Sequence, residues 1–414
     1  MVKRTRCFFR ATCGVLAAVL LFSATLWTLT PSVQALSDTV RGVIPPEGGV
    51  IMTAGEASLP TALSGVSAHG AVLMEASSGT VIFGQNENER LSMASTTKIM
   101  TALVALEQLP LDTSVTATDQ SVGVEGSSIY LTAGETLTLE DLLYALMLES
   151  ANDAAETIAV AVAGSVPAFA DLMNEKAAEL GLSDTHFVNP HGLDAEGHYT
   201  TAKELALLTR AALENPDFQR ICATKRHTIP LHETDGVRLL LNHNRLLSSY
   251  EGCIGVKTGF TKKTGRCLVS AAERDGVRLI AVTLGAPDDW RDHTAMLDHG
   301  FSLYTSLALC EPSFYHAPLP LVSGECDYVM VENTDTLSVI LPRDHGRIVC
   351  VVERRRFDFA PIEGGEVVGR LCFYEVSESG ERHMLGEVPL RAAYTVNAVK
   401  YKRSFGERLR DLFD

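Results

Sequence analysis

Three short motifs, in one order, carry the chemistry that can be read from this chain: Ser95-Thr96-Thr97-Lys98, Ser150-Ala151-Asn152 and Lys257-Thr258-Gly259. A serine hydroxyl is a weak nucleophile until a neighbouring base takes its proton. If Ser95 opens a helix, the residue three positions on shares its face, which brings Lys98 alongside. The helix N-terminus also favours negative charge on the serine oxygen. Lys98 must be neutral to act as the base. Its ordinary pKa of about 10.4 must then fall by about 3 units, roughly 4 kcal/mol. Burial and a second cation both lower it, and Lys257 is the obvious second cation.

The other two motifs complete the requirements of serine acyl transfer. Ser150 and Asn152, just past a helix, point the same way in an extended or turn conformation. One can relay a proton to a leaving group while the other holds a substrate amide. Lys257 and Thr258 alternate on a strand, one inward and one toward the rim. Gly259 leaves room for a substrate backbone, and a peptide can pair with such a strand as an added edge. The backbone amides of Ser95 and Phe260 are candidates for an oxyanion hole. Each motif also has a plain reading. Ser95 fits an ordinary N-cap, Ser150-Ala151-Asn152 a helix end, and Lys257-Thr258-Gly259 an exposed strand end. Lys263-Thr264-Gly265 repeats the last pattern just downstream. The first copy is the functional candidate because it follows the apolar Ile254-Gly255-Val256. The three plain readings holding together in this order is the poorer account.

The elements that must position these residues follow from periodicity. Ala71–Met74 and Val81–Phe83 flank Ser77-Ser78-Gly79 and predict a β-hairpin. Ile99, Ala102, Leu103 and Leu106 predict a helix from about Ser95 to Leu106. Thr138-Leu139-Glu140-Asp141 resembles a capping box, and Leu139, Leu142, Leu143 and Leu146 form a buried stripe on a helix ending near Ser150. Further helices are expected at Ala154–Ala163, Val166–Leu180 and Thr201–Leu213. Phe187 to Leu193 is a turn segment broken by Pro190 and Gly192. Strands return after Tyr250, at Ile254–Phe260, Arg266–Ala272 and Val277–Leu284, the last two joined by Asp275-Gly276, a type I′ signal. A helix from about Trp290 to Leu307 closes the domain. Strands at both ends with helices between them predict an α+β fold, an antiparallel sheet with packed helices. After Glu311, short alternating segments at Tyr328–Val331, Leu337–Leu341, Ile348–Glu353, Glu366–Glu375 and Met384–Leu390 predict an all-β domain.

Composition sets the setting. The chain has 414 residues and a net charge of −16, with 46% hydrophobic and 21% charged residues, which suits two folded units with ample core. An acidic body argues against nonspecific nucleic-acid binding. Lys3 to Arg10, the apolar Ala11–Leu29 and Val33-Gln34-Ala35 read as a signal peptide over residues 1–35, cleaved after Ala35. The alternative is an uncleaved anchor; in both cases the rest of the chain lies outside the cytoplasm. Residues 36–67 read as a flexible linker, 68–310 as the catalytic domain and 311–395 as the β domain. The tail, 396–414, carries Tyr401, Phe405, Leu409, Leu412 and Phe413 on one helical face, which suits either an anionic membrane surface or docking on the β domain. Seven of the nine cysteines follow Ala35, with no C-x-x-C pair. Cys253 and Cys267 either face each other on adjacent strands or are buried thiols; the second is the commoner role of free cysteine.

With these motifs the chain resembles the low-molecular-mass penicillin-binding proteins, serine-type D-alanyl-D-alanine carboxypeptidases, over about Ala71 to Leu390. Ser150-Ala151-Asn152-Asp153-Ala154-Ala155, Asn189-Pro190-His191-Gly192-Leu193 and Gly255-Val256-Lys257-Thr258-Gly259-Phe260-Thr261 support this, as do Ala360-Pro361-Ile362 and Gly369-Arg370-Leu371 in the β domain. The resemblance implies a β-lactamase/transpeptidase-like fold with a C-terminal all-β domain, no metal and no cofactor. It implies that Ser95 forms an acyl-enzyme with the penultimate D-Ala of a peptidoglycan stem peptide, with Lys98 as base. Ser150 would take part in proton transfer and Asn152 would bind the peptide. Lys257, Thr258 and an arginine, Arg291, would hold the carboxylate. β-Lactams would be covalent inhibitors, and the tail would contact the membrane. Lys263-Thr264 and Glu149 depart from the family pattern without removing a reacting group. A class A-like β-lactamase shares the trio but is a single domain and needs a further Glu for deacylation. A zinc carboxypeptidase would need a pattern such as H-E-x-x-H, which is missing. A non-catalytic wall-binding module of the same fold would not need an intact trio.

Overall fold

The computed structural model describes residue 63, residues 65–231 and residues 236–400. The expected signal peptide, almost all of the expected linker and all but the first five residues of the expected tail lie outside the described residues. The rest divides into two compact units, one of residues up to 306 with 340–343, the other of 307–339 and 344 onward.

The first unit is built on five antiparallel strands: β1 (Gly70–Glu75), β2 (Val81–Gln85), β3 (Cys253–Thr261), β4 (Gly265–Arg274) and β5 (Val277–Leu284), in the order β2-β1-β5-β4-β3. The N-terminal hairpin therefore joins a strand more than two hundred residues later, through pairs such as Val72 with Val282. Asp275 and Gly276 both take positive φ at the β4–β5 turn, as their type I′ signature requires. Strand alternation divides the sheet between two cores. Val72, Met74, Val269, Ile280 and Val282 meet a helical cluster on one face. Leu73, Leu268, Leu279 and Ala281 meet Met296 and Leu297 on the other.

The helical cluster contains α1 (Lys98–Gln108), α2 (Leu139–Tyr144), α3 (Asn152–Ala163), α4 (Val166–Glu179) and α5 (Ala202–Ala212); α6 (Asp289–Leu303) covers the opposite face. The expected capping box forms: Asp141 N donates to Thr138 Oγ1 at 3.1 Å and Thr138 N donates to Asp141 Oδ2 at 3.3 Å. Behind α2 a π-helical turn, Ala145–Glu149, carries the chain to Ser150.

Several expectations are corrected. α6 stops at Leu303 rather than Leu307, and Tyr304–Cys310 is a strand. Tyr304, Thr305 and Ser306 are poor helix formers, and apolar spacing alone overran them. Asn152 opens α3 rather than lying in a loop after the preceding helix. A helix, Pro216–Ala223, follows an Asn-Pro cap that periodicity passed over, with Asn215 Oδ1 accepting from Asp217 N and Phe218 N. Two hairpins went unread before Tyr250, Ser114–Thr116 with Thr136–Thr138 and Arg226–Pro230 with Val237–Leu241, because they are too short to show alternation. Cys253 lies opposite Ala272 and Cys267 opposite Gly259, so the two thiols do not face each other.

The second unit holds a six-stranded sheet in the order Arg347–Arg354, Val367–Val376, Arg382–Ala392, Tyr328–Glu332, His316–Val322 and Asp358–Phe359. All neighbours whose register is defined are antiparallel except the last pair, which is parallel. The all-β texture read from alternation holds.

Thr138→Ala removes the cap that starts the run into Ser150. We expect a loss of about 1 kcal/mol of stability, measured as a lower urea midpoint at unchanged slope; an unchanged midpoint would contradict the role of the cap.

Candidate active site

Ser95 lies in a short 3₁₀ turn, Ala94–Thr97, that runs directly into α1. In such a turn residues i and i+3 nearly eclipse, and Lys98 Nζ comes to 3.1 Å from Ser95 Oγ. Lys98 is fully buried. Its amine also donates to Asn152 Oδ1 and to the His191 carbonyl, both at 2.7 Å. Asn152 Nδ2 donates to the Glu125 carbonyl at 2.6 Å, which fixes the amide with its oxygen toward Lys98.

This coordination decides what the amine can do. Burial is the largest influence on Lys98 and the nearby charge of Lys257 the second; together they hold its pKa well below the ordinary lysine range, against a smaller opposing effect of Asp153. A neutral amine has two N–H donors and one lone pair. The two short contacts are to carbonyl oxygens, which only accept. They use both N–H groups, and the lone pair faces the remaining neighbour, Ser95 Oγ. The hydroxyl then donates to the amine, the arrangement a general base requires.

Lys257 is also buried, and its amine donates to its own neighbour's carbonyl, Thr258 O, at 3.0 Å. Burial lowers its pKa to about 7, and Glu149 opposes that. The two amines repel one another when both are charged, which favours the neutral form of Lys98 while Lys257 carries its proton. Gly259, on the same strand face as Lys257, passes the nucleophile closely: a Cβ there would lie 3.1 Å from Ser95 N and 3.2 Å from Ala94 Cβ. The Phe260 side chain is exposed, so only its backbone can serve the site.

Ser150 is buried in a left-handed conformation, φ 60°, and its Oγ finds no hydrogen-bond partner among the described residues. A non-glycine residue in this region costs about 1–3 kcal/mol, and a buried unpaired hydroxyl adds to that. The unpartnered hydroxyl keeps Ser150 a candidate for substrate contact.

Arg291 does not join the group. Its side chain is 84% exposed and its ion-pair partner is Asp288, 3.7 Å away. The arginine on the Thr258–Phe260 face of the sheet is Arg266, directly opposite Phe260. Its Nε donates to Asp289 Oδ1 at 3.0 Å, and its guanidinium stacks 5.8 Å over the Trp290 ring. Lys263-Thr264-Gly265 forms the β3–β4 turn, with Lys263 exposed, as expected for the idle copy.

Four further residues shape the site. His191 offers its carbonyl to Lys98 and its ring to Glu156 at 3.2 Å. Asn189 Oδ1, accepting from His191 N and Gly192 N, builds the turn that presents this carbonyl. The Asn-Pro-His-Gly run was a readable turn signal; that its carbonyl meets Lys98 was not readable. Asp153, fully buried, accepts from Ser128 Oγ, Ile129 N and Leu131 N and so pins the preceding loop beside Asn152. Glu149 accepts from Leu241 N at 2.6 Å.

Comparisons with known proteins point to one family. A family model described as Peptidase_S11: D-alanyl-D-alanine carboxypeptidase matches residues 56–288. The chain is 32% identical over 354 residues to D-alanyl-D-alanine carboxypeptidase DacF of Bacillus subtilis (strain 168), spanning 82% of this chain and 90% of the relative. It is 33% identical over 341 residues to D-alanyl-D-alanine carboxypeptidase DacC of Escherichia coli (strain K12), spanning 77% and 83%. Among solved structures, the D-alanyl-D-alanine carboxypeptidase DacD from Francisella tularensis superposes with a TM-score of 0.57 at 26% identity, covering 84% of this chain and 98% of that one. The Streptomyces K15 DD-transpeptidase gives 0.56 at 35% identity, covering 59% and 100%.

The pH dependence of Ser95 acylation follows from the two amines. Acylation needs neutral Lys98, so the rate falls as pH drops through its pKa. Lys257→Met removes one of the two influences holding that pKa down. The acid limb of the acylation rate therefore shifts to higher pH in this variant, whatever its absolute rate. An acid limb at the same pH, followed with a fluorescent penicillin, would show that Lys257 does not tune the base.

Proposed function

This chain belongs to the D-alanyl-D-alanine carboxypeptidase family, and from that membership we propose how its own residues carry out the reaction. The enzyme is a serine-type carboxypeptidase that removes the terminal D-Ala from peptidoglycan stem pentapeptides. Lys98 takes the Ser95 proton as Oγ attacks the carbonyl carbon of the penultimate D-Ala. The oxyanion rests on the amides of Ser95 and Phe260. The C–N bond then breaks, and the departing D-Ala amine receives the proton from Lys98 by way of Ser150 Oγ. Water releases the acyl group by the reverse relay. Protonated Lys257 and Thr258 hold the terminal carboxylate, and Asn152 binds the peptide. Arg266, on the Thr258 face, takes the place expected of Arg291. The observation that carries this reading is the buried Lys98 amine, 3.1 Å from Ser95 Oγ and 2.7 Å from two carbonyl oxygens; when neutral it turns its lone pair to the hydroxyl.

A β-lactamase reading is not favoured, since relatives matching over three quarters of the chain are carboxypeptidases. β-Lactams are expected to acylate Ser95 and leave slowly. The basic start, the apolar run and Val33-Gln34-Ala35 support export to the outer side of the cytoplasmic membrane. The amphipathic pattern of Tyr401 to Phe413 supports attachment to that membrane. The acidic body supports the lack of a nucleic-acid partner.

Incubated with a stem pentapeptide, the mature protein releases D-Ala and Ser95→Ala does not; equal release from both ends the mechanism. With the same substrate Arg291→Ala keeps its KM, whereas Arg266→Ala raises KM by roughly tenfold, the loss of one charged hydrogen bond to the carboxylate. The opposite pattern would return the role to Arg291.

A further inference from the structure

Behind the nucleophile lies a polar chain that touches no reacting atom. Ala94, the residue before Ser95, is held at φ +47° although it carries a Cβ. Its carbonyl accepts from Thr97 Oγ1 at 2.8 Å. Thr97 Oγ1 lies 2.8 Å from His198 Nε2, and His198 Nδ1 lies 3.0 Å from Val188 N. Ala94, Thr97 and His198 are all buried.

The direction of this chain is fixed by what each atom can do. Val188 N–H only donates, so Nδ1 accepts and carries no proton. A neutral ring then holds its one proton on Nε2, aimed at Thr97 Oγ1. A carbonyl only accepts, so the threonine proton goes to Ala94 O. Burial lowers the His198 pKa to about 4, which keeps the ring neutral and this tautomer in place.

The Ala94 carbonyl and the Ser95 N–H belong to one rigid peptide plane. Holding the oxygen from one side sets the direction of the N–H on the other. Gly192 bounds the same oxygen: a Cβ there would sit 1.9 Å from Ala94 O and 2.8 Å from Thr97 Oγ1. The carbonyl can therefore swing neither off the hydroxyl nor past the glycine.

We propose that Thr97 and His198 are positioning residues that aim the Ser95 amide at the oxyanion through the Ala94 carbonyl. The proposal rests on the reading of Ser95 as nucleophile and of its amide as an oxyanion donor. Without Thr97 Oγ1 the left-handed Ala94 loses the side-chain hydrogen bond on its carbonyl, and the 94–95 plane relaxes. A misdirected donor weakens transition-state stabilisation and leaves ground-state binding alone.

The test is the acylation rate of wild type, Thr97→Val, Thr97→Ser and His198→Gln with a fluorescent penicillin, with the labelled residue located by mass spectrometry. Thr97→Val is expected to acylate roughly ten- to hundredfold more slowly, somewhat less than outright loss of an oxyanion donor. Its non-covalent dissociation constant for the penicillin stays within about twofold of wild type. Thr97→Ser, which restores the hydroxyl, returns to within about threefold. Wild-type speed in Thr97→Val, or a Thr97→Ser as slow as Thr97→Val, overturns the proposal, as does a loss confined to the dissociation constant. If Thr97→Val does not melt cooperatively, His198→Gln carries the comparison. It keeps the hydroxyl without its imidazole donor and is expected to be roughly three- to tenfold slower in acylation alone; an unchanged rate overturns the proposal. Failure of the underlying reading looks different: the wild-type label would lie on a residue other than Ser95.

Discussion

Everything in this site depends on one amine kept out of water. Lys98 is buried at the start of α1, and two carbonyl oxygens from distant segments take its N–H groups. Burial, with the charge of Lys257 beside it, turns a cation into a base, and the two acceptors orient it toward Ser95. This coordination also explains why segments far apart in sequence must meet here. Asn152 and His191 are both required to satisfy the buried nitrogen, and Glu125 and Asn189 hold them in turn. If either acceptor is lost, the amine keeps a buried N–H without a partner, which costs about 1–3 kcal/mol.

The scaffold supplies this convergence by closing an antiparallel sheet with its first and last strands. The edge strand β3 lies beside the 3₁₀ turn, so that Lys257 faces the buried amine while Gly259 lets Ser95 N approach. Strain gathers at the same place. Ala94 and Ser150 both take left-handed backbone, and two lysines are held below their ordinary pKa. Each of these costs folding free energy. The close-packed cores on both faces of the sheet, with Val72, Met74 and Val282 on one and Leu73, Leu279 and Leu297 on the other, offset it.

What the residues revealed in advance was mostly local. The capping box at Thr138, the type I′ turn at Asp275-Gly276 and the strand Val277–Leu284 that follows it rest on contacts within a few residues, and all appear as read. Elements whose signals were short or misleading did not. Tyr304–Cys310 reads as helix by apolar spacing yet forms a strand, and the Arg226–Leu241 hairpin is too brief to show its period. Arg291 followed the site in sequence but projects into solvent, because helix phase, which no short motif encodes, decides where it points.

The sequence by itself determined the reacting groups. Ser95 and Lys98 are three apart on one turn, Lys257 and Gly259 alternate on one strand, and both relations are set by backbone geometry that local residues dictate. Only the tertiary structure decided which atoms those groups meet. That the second acceptor around Lys98 is the carbonyl of His191, that Arg266 and not Arg291 shares the face of Thr258, and that His198 supports the peptide plane before Ser95 all follow from packing between segments far apart in the chain. Spacing along a chain fixes which side chains share a face; it does not fix what is pressed against that face, since this depends on the summed burial of the whole core.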